Sequence, residues 1–145
     1  GYVMGPAHIL KYINKVHQNL STCATSFAQV GAAEAYNNSE QFIKDMRAEF
    51  HRRSRLVYNS LREIPGIKVV EPEGAFYIFI NIEDLNMGEA EFCNYILDEA
   101  GIAIVPGNSF GEFGKGFVRM IYAISYEKIE LAMERFKKAV LKLGK

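Results

Sequence analysis

The sequence has no surplus of either charge: 17 lysines and arginines balance 17 aspartates and glutamates, for a formal net charge of zero. A nucleic-acid binder normally carries a basic excess or patch, and a polybasic membrane contact needs the same, so both classes are disfavoured. No apolar run approaches the roughly 20 residues of a membrane-spanning helix. The opening residues carry no signal-peptide pattern, and a cytoplasmic location is the expectation. The 2 cysteines, Cys23 and Cys93, lie far apart and form no CxxC pair, which fits reduced, partly buried thiols in helix-like segments. His8, His17 and His51 lack metal-ligand spacing and have no cysteine or carboxylate cluster around them. They read as helix-surface residues, and no metal is expected.

The familiar catalytic and nucleotide-binding signatures are missing as well. Residues 107–116 form a glycine-rich loop, but it leads into a strand and no GK[ST] follows its last glycine, which argues against a P-loop. No G-x-G-x-x-G follows a strand. There is no G-x-S-x-G elbow and no H-E-x-x-H. No nucleophile–base pair can be named, so no catalytic residue is assigned in this chain.

What is present is an ordinary globular composition, 49% apolar and 23% charged, over 145 residues. That is enough for one domain with a real core. Residues 1–5 read as the end of a strand. Pro6 then suits a helix start, and Ile9, Leu10, Ile13 and Val16 recur at helical spacing. Residues 19–25 break the pattern with small hydroxyl side chains. A second helix to about Tyr36 has small inner positions, Ala28, Gly31, Ala32 and Ala35, as tight helix packing requires. After the turn at Asn37, Asn38 and Ser39, a long helix runs to about Ile64 with Phe42, Met46, Phe50, Val57 and Leu61 on one side. At roughly 40 Å it suits an element bridging two domains. Its Arg52, Arg53 and Arg55 have acidic neighbours and read as a solvated helix face rather than a basic patch.

From Ile67 on, the order is β-β-α-β-β-α. Strands are expected at 67–70, 75–81 (apolar on both faces and so covered on both), 102–105 and 117–123. Helices are expected at 89–100, with Phe92, Cys93, Ile96, Leu97 and Ala100 inward, and after Ser125. The fold class is therefore α/β, of the α+β type in this part: a small sheet with helices on one face, preceded by a helical segment and the long helix.

Arg119 stands in the middle of the last strand, among Phe117, Val118, Met120, Ile121 and Tyr122. An arginine stays charged at any working pH, and half-burying it among apolar neighbours is costly unless an anion meets it. Either an Asp or Glu of the same fold supplies that anion, or a carboxylate ligand does, gripped by the planar fork. Periodicity cannot separate the two.

A set of blocks in one order and spacing can. Gly1-Tyr2 with Gly5-Pro6, Ser21-Thr22 with Gln29, residues 72–77 (PEGAFY), residues 105–111 (VPGNSFG) and residues 118–123 (VRMIYA) together resemble the C-terminal part of the class I/II aminotransferases. These are pyridoxal-phosphate enzymes of fold type I, and the aspartate/aromatic branch is the most similar. The resemblance covers the whole chain. It implies that residues 1–38 end a large cofactor-binding domain, 39–66 form an interdomain helix and 67–145 form the small C-terminal domain. It places the Schiff-base lysine and the phosphate-binding arginine just upstream of Gly1, and an aspartate on the pyridine nitrogen further upstream, so no cofactor-binding residue is expected here and the chain alone should be inactive.

Carried over, Arg119 matches the arginine that binds the substrate α-carboxylate. Phe76 resembles an aromatic residue at the substrate rim, with core packing as its alternative. Ser21 and Thr22 lie where the family lends residues to the partner subunit's active site, with a helix-cap role as theirs. The implied parent is a cytoplasmic homodimer using pyridoxal 5′-phosphate to transfer an amino group between an amino acid and a 2-oxo acid. A rival of another class is a non-catalytic amino-acid-binding or dimerisation module, which would bind an amino acid in calorimetry with no cofactor present.

Overall fold

The computed structural model describes residues 1–143. They fall into two compact units, residues 1–44 and the chain from Asp45 onward.

The first unit is helical. Residues 1–6 form no strand, contrary to the expectation, because a strand needs a neighbour to pair with and this unit holds only helices. Helix α1 spans Ala7–Ser21 and helix α2 Ser26–Asn38. Between them Cys23 donates its N–H to the Ser21 carbonyl at 2.7 Å, while Thr22 at the centre has φ 64° and ψ −72°. This is a γ-turn of the rare, strained kind. Cys23 is exposed there rather than helical and partly buried.

Neither α1 nor α2 has a buried residue. Ile9, Tyr12, Val16 and Leu20 of α1 and Phe27 and Val30 of α2 are exposed, and a Cβ added at Gly31 would meet nothing within 4 Å. Two helices that bury no side chain lack the packing that stabilises helices in proteins.

Helix α3, Glu40–Arg62, is 23 residues long, about 35 Å. Only its later part is apolar inside: Val57 and Leu61 are buried, and so is Ile64 just beyond, whereas Phe42 and Met46 are exposed. Arg52, Arg53 and Arg55 have acidic partners as expected, although Arg53 keeps only 20% of its side chain exposed. Arg52 and Arg53 each hold Glu49 at 2.8 Å, and Arg55 meets Glu71 at 3.5 Å. Those two guanidinium groups keep the Glu49 carboxyl at about 2, well below its ordinary range.

The second unit is built on a four-stranded antiparallel sheet: β1 (Lys68–Val69), β2 (Tyr77–Asn81), β3 (Val105–Pro106) and β4 (Phe117–Ile121), in the order β1-β2-β4-β3. Helix α4 (Glu89–Ala100) lies between β2 and β3 in sequence, and α5 (Tyr126–Leu143) follows β4. Pairing of Ile78 with Met120 and Ile80 with Val118 puts these four on one face, and all are buried. They share one core with Leu61 and Ile64, with Phe92 and Ile96 of α4, and with Ile129, Met133 and Phe136 of α5.

The other face is open. Phe79 and Ile121 remain 40% and 46% exposed, so β2 is not covered on both sides: its residues alternate, and the helices supply apolar surface to one face only. Leu97 of α4 is exposed too, since it lies one position round the helix from the Phe92–Ile96–Ala100 stripe. Buried Cys93 has its thiol pushed up to about 11 by burial, which leaves it an inert thiol at neutral pH.

Glu89, in the first turn of α4, accepts the Gly116 N–H at 2.6 Å. That bond and one from its own backbone N–H hold its carboxyl below the ordinary range. A depressed carboxyl stabilises the fold above its unfolded pKa, and the stabilisation is lost as pH falls through the folded one. The expected outcome is that Glu89→Gln loses less thermal stability than the wild type between about pH 5 and about pH 3. Equal acid slopes would remove Glu89 from the account.

Candidate functional site

Of the predicted site residues, the open sheet face carries Arg119. Arg119, at the middle of β4, pairs with Phe79 of β2 on one side and Val105 of β3 on the other. Directly opposed residues of antiparallel strands share a face, so Arg119 points away from the core. It is half-buried, and its Nε is buried with no hydrogen-bond partner. Among the described residues no Asp or Glu lies within 4.0 Å of its guanidinium; the ion pairs involve other cations. What surrounds it is aromatic. Its Cζ lies over the Tyr77 ring at 4.5 Å and over the Phe110 ring at 3.9 Å. A guanidinium over aromatic rings keeps its charge and its in-plane donors free for an anion.

Among the described residues, Phe76 is joined to this cluster only through the ring of Tyr77. The two rings are 4.4 Å apart, and Phe76 also contacts Phe50 at 5.9 Å. With 37% exposure it is at the rim of the packed layer rather than in the core. Its backbone is set by Ala75, which sits at φ 60°, a conformation uncommon for any residue with a Cβ. Buried Tyr122 ties this turn down: its N–H donates to the Phe76 carbonyl at 3.0 Å and its hydroxyl to the Ala75 carbonyl at 3.4 Å. Ser21 and Thr22 belong to the first unit, at the end of α1 and in the γ-turn, both exposed.

The glycine loop is not featureless. It forms two 3-10 turns, Gly107–Phe110 and Glu112–Gly114. Gly107 and Gly114 face each other so closely that a Cβ on either would overlap the other's carbonyl oxygen. Their close approach is backbone to backbone, and it folds the loop that carries Phe110 to Arg119.

Two neighbours of Arg119 were not apparent from the sequence. Tyr77 was hidden because only the strand register shows that it shares a face with Arg119; period-2 alternation along β2 was the available signal. For Phe110, in a loop, no sequence signal existed. Beside Tyr77 and Phe79 lies a concavity of about 470 Å³ also lined by Lys68, Glu71, Asn81 and Phe117. Its charged residues are already paired, Lys68 with Asp84 at 2.7 Å and Glu71 with Arg55. Among the described residues no group of three or more His, Cys, Asp or Glu could hold a metal ion, and no helix is long and apolar enough to cross a membrane.

Comparison with known proteins gives this geometry its context. Residues 1–136 match the family described as aminotransferase class I and II. The chain is 37% identical over 142 residues to an aspartate aminotransferase from Pyrococcus horikoshii. It is 38% identical over 142 residues to aromatic-amino-acid aminotransferase 2 from Thermococcus litoralis. Each alignment covers 97% of this chain but 36% of the relative. The crystal structure of an aromatic aminotransferase from Pyrococcus horikoshii superposes with a TM-score of 0.91 at 39% identity, over 97% of this chain and 38% of that one. The chain thus spans little more than a third of the length of the proteins it matches, and over that span it belongs to the class I and II aminotransferases.

Proposed function

We propose that the chain is the C-terminal part of an aminotransferase that moves an amino group between an amino acid and a 2-oxo acid, and that Arg119 grips the substrate α-carboxylate. The observation that carries this is the state of Arg119: charged, half-buried, stacked on Tyr77 and Phe110, and without a carboxylate among the described residues. A bidentate grip on the carboxylate fixes the orientation of the Cα–H bond, which the reaction must break in one geometry. Phe76 stands at the rim, closing the aromatic side of the site.

Residues 1–38 belong in this reading to a large domain, 39–66 to an interdomain helix and 67–145 to the small domain. The exposed apolar side chains of α1 and α2 support it, because they need surface from elsewhere in the parent protein. Ser21 and Thr22 serve the partner subunit's active site in a cytoplasmic homodimer. Pyridoxal 5′-phosphate is the cofactor of the parent and, when bound, supplies the electron sink. In this reading its holders lie in the part of the parent outside residues 1–145; Lys44, Lys68, Lys137, Lys138 and Lys142 are engaged in surface ion pairs, and the glycine loop runs into β4 rather than a helix N-terminus.

The test is an assay of the full-length protein with a panel of amino acids and 2-oxo acids. Amino transfer is expected for at least one pair, together with a visible absorption band that changes on adding the amino acid. No transfer with any pair, and no such band, would sink the proposal.

A further inference from the structure

We propose that Tyr77 and Phe110 are positioning residues for Arg119: they hold the guanidinium in the plane that a carboxylate must approach. The inference rests on the carboxylate-gripping reading of Arg119. An arginine side chain is long and rotamer-rich, and a fork that must meet a carboxylate bidentately has to be held before the ligand arrives. The usual device is a carboxylate of the protein itself. Here none is present among the described residues, and Nε makes no hydrogen bond. A protein carboxylate would also occupy the donors the ligand needs. Two ring faces at 4.5 and 3.9 Å from Cζ restrict the guanidinium without using any of its N–H groups.

The rings are themselves held. Phe110 meets Phe79 edge-on at 5.9 Å, and Phe79 meets Phe117 at 6.4 Å. Tyr77 is backed by Phe76 and lies on β2, beside the strand that carries Arg119. Phe110 is delivered by the Gly107–Gly114 backbone contact. This gives the glycine loop a purpose that a phosphate cradle does not supply: it is the arm that seats a ring on the arginine.

The experiment uses the full-length protein and three variants, Phe110→Leu, Tyr77→Leu and Arg119→Ala, with Phe110→Tyr as a rescue that keeps the ring. Two quantities are read: KM for the amino acid turned over fastest by the wild type, and the inhibition constant of acetate, a minimal carboxylate with no side chain to recognise. Loss of one ring face is expected to raise both by about fivefold, with Phe110→Tyr close to wild type. Arg119→Ala should raise both further. A purely structural role for the rings would lower the amount of folded enzyme without moving the acetate constant. If either leucine variant failed to fold, the other would decide. Acetate constants within twofold of wild type in the leucine variants, with a clear rise in Arg119→Ala, would overturn the positioning role alone. No rise in Arg119→Ala would overturn the carboxylate reading and the inference with it.

Discussion

Arg119→Ala in the full-length protein is expected to lower kcat/KM by about 10²- to 10³-fold for every amino-acid substrate, a loss of about 3–4 kcal/mol of transition-state stabilisation. The size follows from removing one partner of a desolvated, charge-assisted pair. The uniformity follows from the group recognised, since every amino acid carries the same α-carboxylate. Arg119→Lys should fall nearer to alanine than to wild type, because an ammonium is a point charge with no planar fork and stacks poorly on Phe110 and Tyr77. Stability should move the other way. Arg119 holds a charge half out of water with Nε unpaired, and such strain at a functional site costs the folded state. The thermal midpoint of Arg119→Ala is therefore expected to equal or exceed that of the wild type. An arginine that merely braced the sheet would show the opposite pattern: a lower midpoint and unchanged kcat/KM.

The second large effect is expected at Gly107. A methyl group there would overlap the Gly114 carbonyl oxygen and come within 2.6 Å of the Phe117 carbonyl oxygen. Both obstacles are backbone, so no side-chain rotation relieves the clash. Either the loop opens or the end of the β3–β4 ladder, where Pro106 opposes Val118, gives way. Gly107→Ala should cost about 3 kcal/mol of stability, at the upper end for overpacking. It should also weaken carboxylate binding, because Phe110 is displaced with the loop. Gly74→Ala is the matched control, as nothing lies within 4 Å of its Cβ position. Denaturant midpoints compare the two, and equal midpoints would show that the glycine contact is not needed.

The elements with strong periodicity were legible in the sequence. Helix α4 spans Glu89–Ala100 as its pattern predicts, and a helix follows Ser125 as expected, burying Ile129, Met133, Phe136 and Val140. A helix stripe is set by residues three and four apart, so local sequence suffices. The strands were found in the right order but trimmed, with β3 at Val105–Pro106 rather than 102–105, because a strand ends where its partner does. The strand expected at residues 1–5 failed for the same reason.

By itself the sequence determined the helices, the order of elements after the long helix, the resemblance to the aminotransferases and the choice of Arg119 as the residue to explain. Each of these is written in local spacing or in collinear blocks. Only the tertiary structure decided that β2 has an open face, that no carboxylate of the described residues answers Arg119, and that Tyr77 and Phe110 do. Those facts depend on which strands lie side by side and in what register, and on a loop whose path is set by two glycine backbones in contact. Residues 77, 110 and 119 are distant in the chain, and only the paired sheet and the folded loop bring them together.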